Sequence, residues 1–557
     1  MKLLNKLKTA LSSTSTWGYI VVLSLIIIPW FLTPGYLFFT DYTLGPNISL
    51  DWANRSFLFN IMLKGLSFIF SIAFLEKIFI SGVLLLILLG GRLLVKTILE
   101  YYSRDKAASS GLIFVLSLFT FFNPFVYDRA LYGQFGVLIA YGFLLFVVSY
   151  LFKVFYRFDL KNIYFASIFT ALALMFSVHF IFLLVPFYLL FLIGLFFQKK
   201  KAKKYGGIKN FWLVALSALL IILVINANWL VALATNSSQL GDFVEQGITS
   251  QDLVAFQTAG NNSWDTLNNV LLMSGFWGKD QLRYSDLTDI VGWQRGFILI
   301  IPIILYGVYL SLKKNKFLSI GLLIIFALSI FLAIGIKSPV TSGLTLFFYN
   351  HLPFYKGLRE PQKWVAAIIP IYLFYLILGS FYLSKVKIII NNRLVSGLVL
   401  AFIIVMQAPL LFWGFNCQAK PIPYPSDWYE VDNLLSDGSN CSDRILFLPW
   451  HLYMSFNWSK KIMVNPARTF FSCPVISGTN MEWGGIYDNS RSADGAIIGD
   501  WLQNKGQGGV PALAGDPIRY IILAKELDFT SYLWLNSSFD VDLILETKTL
   551  LVYETKY

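Results

Sequence analysis

A chain of 557 residues that is 57% hydrophobic and 17% aromatic, yet only 13% charged, lies well outside the composition of soluble domains, where about a quarter of residues are charged. A formal charge of +13 would point a soluble protein toward nucleic acid, but here the basic residues sit in short loops between apolar runs. That pattern argues against nucleic acid and for an orientation signal in a polytopic α-helical membrane protein.

A helix needs roughly 20 residues to cross a bilayer, and the chain divides into about eleven apolar segments: 17–33, 77–96, 108–123, 135–152, 163–178, 180–198, 211–227, 296–312, 317–335, 364–383 and 394–413. The first is expected to be retained, because the aromatic stretch TPGYLFF follows it and not a small-residue cleavage site. Every second loop is basic. Lys2, Lys6 and Lys8 precede the first segment. Arg104 and Lys106 follow, then Lys153, Arg157 and Lys161, then the run QKKKAKK with Lys199 to Lys204. Lys313, Lys314 and Lys316, and finally Lys385, Lys387 and Arg393, keep the same phase. Basic loops stay in the cytoplasm, so the N-terminus is expected inside the plasma membrane. An odd number of spans then puts the C-terminus outside.

The loops expected inside are short and hold no phosphate-cradling GxxxxGK[ST] loop. The bulk falls on the other side, in residues 34–76, 228–295 and 336–363 and in a polar tail, 414–557. The tail alternates strand-like runs (RILFLPW, RYIILA, VDLILE, TLLVYE) with turn-rich stretches such as NKGQGGVPALAGDP. It reads as a small mixed α/β domain beside a membrane domain, 1–413. Cys417, Cys441 and Cys473 all lie on the outer side, where a disulfide persists. Their spacing matches no metal site, and which two of the three pair is left open.

Between the third and fourth segments stands NPFVYDRALYGQFG, a loop that places Asp128, Arg129 and Gln134 between two membrane-grade runs. Other outward loops also carry polar groups near the membrane. FFTDYTLGPN sets Asp41 just after the first segment, and GLREPQKW sets Arg359, Glu360 and Lys363 ahead of the tenth. SVHF puts His179 at a hairpin, and NANWL puts Asn228 and Trp229 at the end of the seventh. Charges at membrane depth are costly and face a protein interior or a wet cavity, so these loops are expected to converge on one polar cavity. A plainer reading stands beside each: a capping acid for Asp41, a mutual ion pair for Asp128 and Arg129, a hairpin residue for His179, interfacial anchors for Arg359 and Lys363, a belt aromatic for Trp229. His179, His351 and His451 form no ligand-spaced set, which counts against a metalloenzyme.

Taken together, a long first outer loop with an acid after the first span, a second acid after the third, a late basic outer loop and an outer C-terminal domain resemble the GT-C superfamily of integral membrane glycosyltransferases. The likeness is closer to its YfhO-like bacterial and archaeal members, and more distant to arabinofuranosyltransferases and oligosaccharyltransferase catalytic subunits. The resemblance implies that Asp41 is the catalytic acid, that Asp128 is a second acid serving acceptor or metal, and that Arg359 and Lys363 grip the donor phosphate. Arg129, Gln134, His179, Asn228, Trp229 and Glu360 would then line the substrate site. A divalent cation, Mg or Mn, on Asp41 and Asp128 is an option within that family. Where many members carry a second acid directly after the first, Asp41 is followed by Tyr42, Thr43 and Leu44.

The chemistry leads to the same class. Nucleotide sugars are cytoplasmic, so transfer on the outer side calls for a polyprenyl-phosphate-linked sugar and an extracytoplasmic glycan, lipid or protein acceptor. A carboxylate would take the proton of the attacking hydroxyl, and basic side chains would stabilise the departing phosphate. The alternatives are a lipid-linked glycan flippase or transporter and a non-catalytic cell-envelope assembly protein. Broken midplane spans in an inverted repeat would favour a transporter, and none is evident.

Overall fold

A computed structural model describes residues 14–102, 110–197, 208–235, 250–352, 354–384, 393–436, 443–480, 482–483, 486–487, 493–511, 513 and 517–556. The basic residues Lys2, Lys6, Lys8, Arg104, Lys106, Lys385 and Lys387, the run 199–204, and Cys441 lie outside the described residues.

Each of the eleven apolar segments carries a helix, among them Thr14–Leu32, Ile72–Tyr102, Phe135–Tyr156, Leu160–Phe176, Phe180–Phe197, Arg295–Lys314, Lys316–Ile334 and Val365–Leu383. Five helices are long and apolar enough to cross a membrane unaided, and seven if two pairs bent by 78° each count as one span. By length and composition, then, five to seven spans qualify among the described residues, with four shorter apolar helices beside them. Ser110–Leu118 is only nine residues long, because the chain turns at Phe119 to Phe122 before Asn123 starts a new helix. The chain is a multi-pass membrane protein with a C-terminal sheet domain.

Helix Ile72–Tyr102 lies along Phe135–Tyr156, which in turn lies along Leu160–Phe176. Arg295–Lys314 crosses Val365–Leu383 so closely that a Cβ on Gly307 would strike the Tyr375 carbonyl, and one on Gly379 the Ile303 carbonyl. In lipid, apolar surface alone gives helices little reason to associate, so close approach through small residues supplies the packing. Val365 to Phe381 are buried on every side, which makes this helix the axis of the membrane domain. The first outer loop is not all loop. It includes Phe57–Ser67, whose Leu58, Ile61 and Met62 are exposed together with Phe68 and Ile69 just beyond it.

NPFVYDRALYG is expected as a loop but folds as a capped helix, Pro124–Tyr132. Asn123 accepts from the Val126 amide, and Pro124 occupies the first turn, where its missing N–H costs nothing. Gly133 ends the helix at φ +89°, a conformation glycine adopts without strain. A Cβ there would also press on Phe39 and Tyr42, so the helix end and the Asp41 loop can touch only through a glycine.

The tail forms strands β1 (Arg444–Leu448), β2 (Tyr453–Phe456), β3 (Lys461–Val464), β4 (Val475–Ser477), β5 (Glu482–Trp483), β6 (Ile486–Tyr487), β7 (Ile518–Ala524), β8 (Val541–Glu546) and β9 (Leu550–Thr555). The main sheet runs β4-β1-β7-β9-β8. β1 is parallel to β4 and β7, while β9 is antiparallel to β7 and β8. Ser426–Ser436 covers one face through Trp428, which is fully buried among Phe447, Phe456 and Phe471. The β2–β3 hairpin stands apart from this sheet and rests on the first outer loop. The Val464 amide donates to the Thr40 carbonyl at 2.8 Å. Lys461 Nζ donates to the Phe38 carbonyl at 3.1 Å.

Candidate active site

Asp41 lies where three parts of the chain meet. Its own amide donates to the Tyr132 carbonyl at the end of Pro124–Tyr132, 2.8 Å away. Gln134 Nε2, one residue past Gly133, donates to Oδ2 at 2.9 Å. Tyr453 on β2 donates its hydroxyl to Oδ1 at 2.7 Å. Burial raises the Asp41 carboxyl from 3.8 to about 6; the bonds from Gln134 and Tyr453 and the nearby Arg283 pull it down, while Glu360 pushes it up. A base whose pKa lies near operating pH is the kind that proton transfer favours.

Glu360 is the second carboxylate, and it is spent on cations. Lys363 Nζ sits 3.0 Å from its Oε1. The Arg129 guanidinium bonds its Oε2 and also Gln134, and donates to Gln362 Oε1 at 2.6 Å. Trp277 Nε1 donates to Oε2 at 2.9 Å. Burial works to raise this carboxyl, but Lys363 and Arg129 outweigh it and hold the group well below the usual carboxylate range. Arg129 is fully buried and lies 4.4 Å over the Phe276 ring. Gln134 Nε2 also reaches Glu360 Oε2 at 3.5 Å, so one amide links both carboxylates.

Four of the expected site residues therefore gather around Asp41: Arg129, Gln134, Glu360 and Lys363. His179 borders the group, its ring against Gly357. Burial, then Lys363 and Arg55, keep it below its ordinary pKa, hence neutral.

The remaining residues are placed differently. Asp128 turns away from its neighbour Arg129 and accepts from the Tyr284 hydroxyl at 3.2 Å. Burial and then Asp286 push it up to about 8, so it stays protonated at neutral pH. No hydrogen bond or ion pair joins it to Asp41 among the described residues, and the expected Asp128–Arg129 ion pair is replaced by Arg129–Glu360. Arg359 faces Asp252 at 3.7 Å and lies 4.7 Å over Phe256. Asn228 donates to the carbonyls of Trp52 and Asn54 in the first outer loop, and Trp229 donates locally to Asn226.

Two residues of the site carry no sequence signal. Tyr453 is one of 29 tyrosines and lies 412 residues from Asp41. Arg283 stands in KDQLRYSD, an unremarked charged stretch. Its guanidinium sits 5.5 Å from the Tyr453 ring and 5.7 Å from the Tyr132 ring, and its buried Nη1 has no hydrogen-bond partner among the described residues.

The same residues decide the fit to a divalent ion. Both Asp41 oxygens meet hydrogen-bond donors, and no group of three or more His, Cys, Asp or Glu suited to a metal occurs among the described residues. This donor set suits a hydrogen-bonded carboxylate and not a divalent cation such as Mg or Mn.

No protein-family model matches the chain, and no curated protein matches it by sequence. Solved structures do. The chain superimposes on arabinofuranosyltransferase AftD from Mycobacteria with a TM-score of 0.57 at 11% identity, covering 98% of this chain and 40% of AftD. An AftD mutant gives 0.52 at 12% identity, covering 98% and 42%. ArnT from Cupriavidus metallidurans, bound to undecaprenyl phosphate, gives 0.49 at 10% identity, covering 97% and 98%. The chain spans about two fifths of AftD's length. With the helical membrane domain and the sheet domain already described, the chain shares its fold with AftD.

Proposed function

We propose that the chain transfers a sugar from a polyprenyl-phosphate donor to a hydroxyl acceptor on the extracytoplasmic side of the membrane, with Asp41 as general base. The observation that carries this reading is the pairing of Asp41, held near 6, with an arginine whose buried Nη1 is unpartnered. The acceptor oxygen attacks the anomeric carbon, its proton passes to Asp41, and the carbon–oxygen bond to phosphate breaks, which inverts the anomeric centre. Arg283 takes the phosphate contact expected of Arg359 and Lys363, since Lys363 is held by Glu360 and Arg359 faces Asp252. A guanidinium bonds two phosphate oxygens at once.

A lipid-linked donor also suits the flank of the site. An open apolar groove of about 240 Å³ is lined by Phe79, Gly82, Leu86, Ile139, Phe143 and Phe176. Phe79 stacks on Tyr42, the neighbour of Asp41, so the groove borders the loop that carries the carboxylate. Cys473 in the tail is disulfide-bonded, which supports an oxidising compartment for that domain.

The test uses the purified full chain in nanodiscs. Farnesyl-phosphate sugars, arabinofuranose first, are supplied with a panel of alkyl glycosides as acceptors, and release of farnesyl phosphate is measured. The expected result is acceptor-dependent release that Asp41→Asn cuts by roughly 10²–10⁴ without loss of donor binding. Equal release by Asp41→Asn would remove Asp41 from the base role.

A further inference from the structure

We infer that the tail domain is a working part of the site, through its β2–β3 hairpin, and that Tyr453 is a positioning residue that fixes the orientation and proton affinity of Asp41. The hairpin meets the Asp41 loop at three successive points. Lys461 Nζ takes the Phe38 carbonyl at 3.1 Å, the Val464 amide takes the Thr40 carbonyl at 2.8 Å, and the Tyr453 hydroxyl takes Asp41 Oδ1 at 2.7 Å. Lys461 also reaches across to the Gln418 carbonyl at 3.0 Å, tying the hairpin to the start of the tail. On the opposite side the loop is pinned by the Tyr132 carbonyl and Gln134. Asp41 is therefore clamped between the membrane domain and the tail, with one oxygen assigned to each.

This arrangement does more than fill space. An oxygen that accepts a phenol O–H cannot rotate toward bulk water, so the lone pair left for a substrate proton keeps a fixed direction. Hydrogen bonding to the ionised form also favours that form. The groups that act on Asp41 come from every surrounding element: Gln134 and Tyr132 after the third apolar segment, Arg283 from the middle outer loop, Glu360 from the late one, and Tyr453 from the tail. Tyr453 is the one that the tail contributes. The Arg283 guanidinium over its ring adds a second tie between hairpin and site.

The inference rests on the proposed base role only for its effect on turnover; the clamp itself can be read without any substrate. Infrared spectra of the full chain in nanodiscs, recorded across pH 4 to 9, contain one protonated-carboxyl band that Asp41→Asn removes, and its titration gives the Asp41 midpoint directly. Tyr453→Phe keeps the ring and deletes the donor. The midpoint should rise by about one pH unit, with the acid limb of the transfer rate rising equally and the melting temperature little changed. Site-specific 3-fluorotyrosine at 453, a stronger donor of the same shape, should lower the midpoint. A role in packing alone would leave both titrations at the wild-type value, and that result overturns the inference even if transfer by the wild type is robust. Opposite shifts in the two variants, with no transfer from any probe, would keep the clamp and discard the enzymatic reading.

Discussion

Asp41 and Glu360 share one glutamine and one buried neighbourhood, yet their carboxyls move in opposite directions. Burial raises Asp41 to about 6 against only two neutral donors and the more distant Arg283. Glu360 meets Lys363 and Arg129 and falls well below its usual range. The contrast shows how a fold assigns roles to two like groups: the one given cations becomes permanent structure, and the one given only hydrogen bonds remains able to take a proton. Pairs of titratable groups pushed apart in this way mark acid–base assignments.

The sharpest way to break the comparison is to exchange each carboxylate for its amide and follow both activity and stability. Asp41→Asn should lower transfer by roughly 10²–10⁴ while melting no lower than wild type. The sign follows from the raised pKa: the ionised form is disfavoured in the folded chain, so the cost grows as pH rises from 3.8 to about 6 and is complete above it. The gain in melting temperature from Asp41→Asn should thus be full at pH 7.5 and fade as pH falls toward 4.

Glu360→Gln should behave in the reverse sense. It leaves Arg129 and Lys363 buried without their shared carboxylate, and breaking such a group costs about 3–5 kcal/mol. A depressed carboxyl pKa contributes stability above its unfolded value and loses it only as pH falls through the folded one. The loss in melting temperature should therefore be the same at pH 5.5 and pH 8. A pH-dependent loss would mean that Glu360, not Asp41, is the proton acceptor.

Smaller effects refine the division between free and committed cations. Arg283→Gln should weaken binding of a farnesyl-phosphate sugar by roughly ten- to a hundredfold, the loss of a hydrogen bond to a charged group. Arg359→Lys should change it by less than about threefold, because the side chain is engaged by Asp252 and the Phe256 ring. The reverse ranking would return the phosphate to Arg359. Asn228→Ala, in the contact with Trp52 and Asn54, should alter neither binding nor transfer and should move stability by about 0.5 kcal/mol or less.

Much of this was legible in the sequence. Hydropathy located a helix at every apolar segment, and strand-like runs in the tail became β1, β7, β8 and β9. Runs of apolar residues announce burial in lipid but do not announce length, so the 108–123 segment was counted as a span although its helix stops at Leu118. At the site, Asp41, Gln134 and Glu360 each lie close to an end of an apolar segment, where the covalent chain limits freedom of position. Adjacent residues on a helix point about 100° apart, and Asp128 and Arg129 accordingly meet different partners, Tyr284 and Glu360. Tyr453 and Arg283 were invisible because nothing local distinguishes them; only the folded contact between hairpin and loop gives them a role.

The hairpin's seat on the first outer loop has a consequence for how the protein is made. Asp41 emerges behind the first apolar segment, whereas Tyr453 follows after all eleven. During synthesis the carboxylate therefore exists for most of the chain's assembly without its second tie. A nascent chain halted before β2 would hold every membrane-embedded part of the site and still lack the group that aims it. Synthesis of β2 would then be a late step of maturation, and under the proposed function it would aim the carboxylate only after the preceding apolar segments have been threaded.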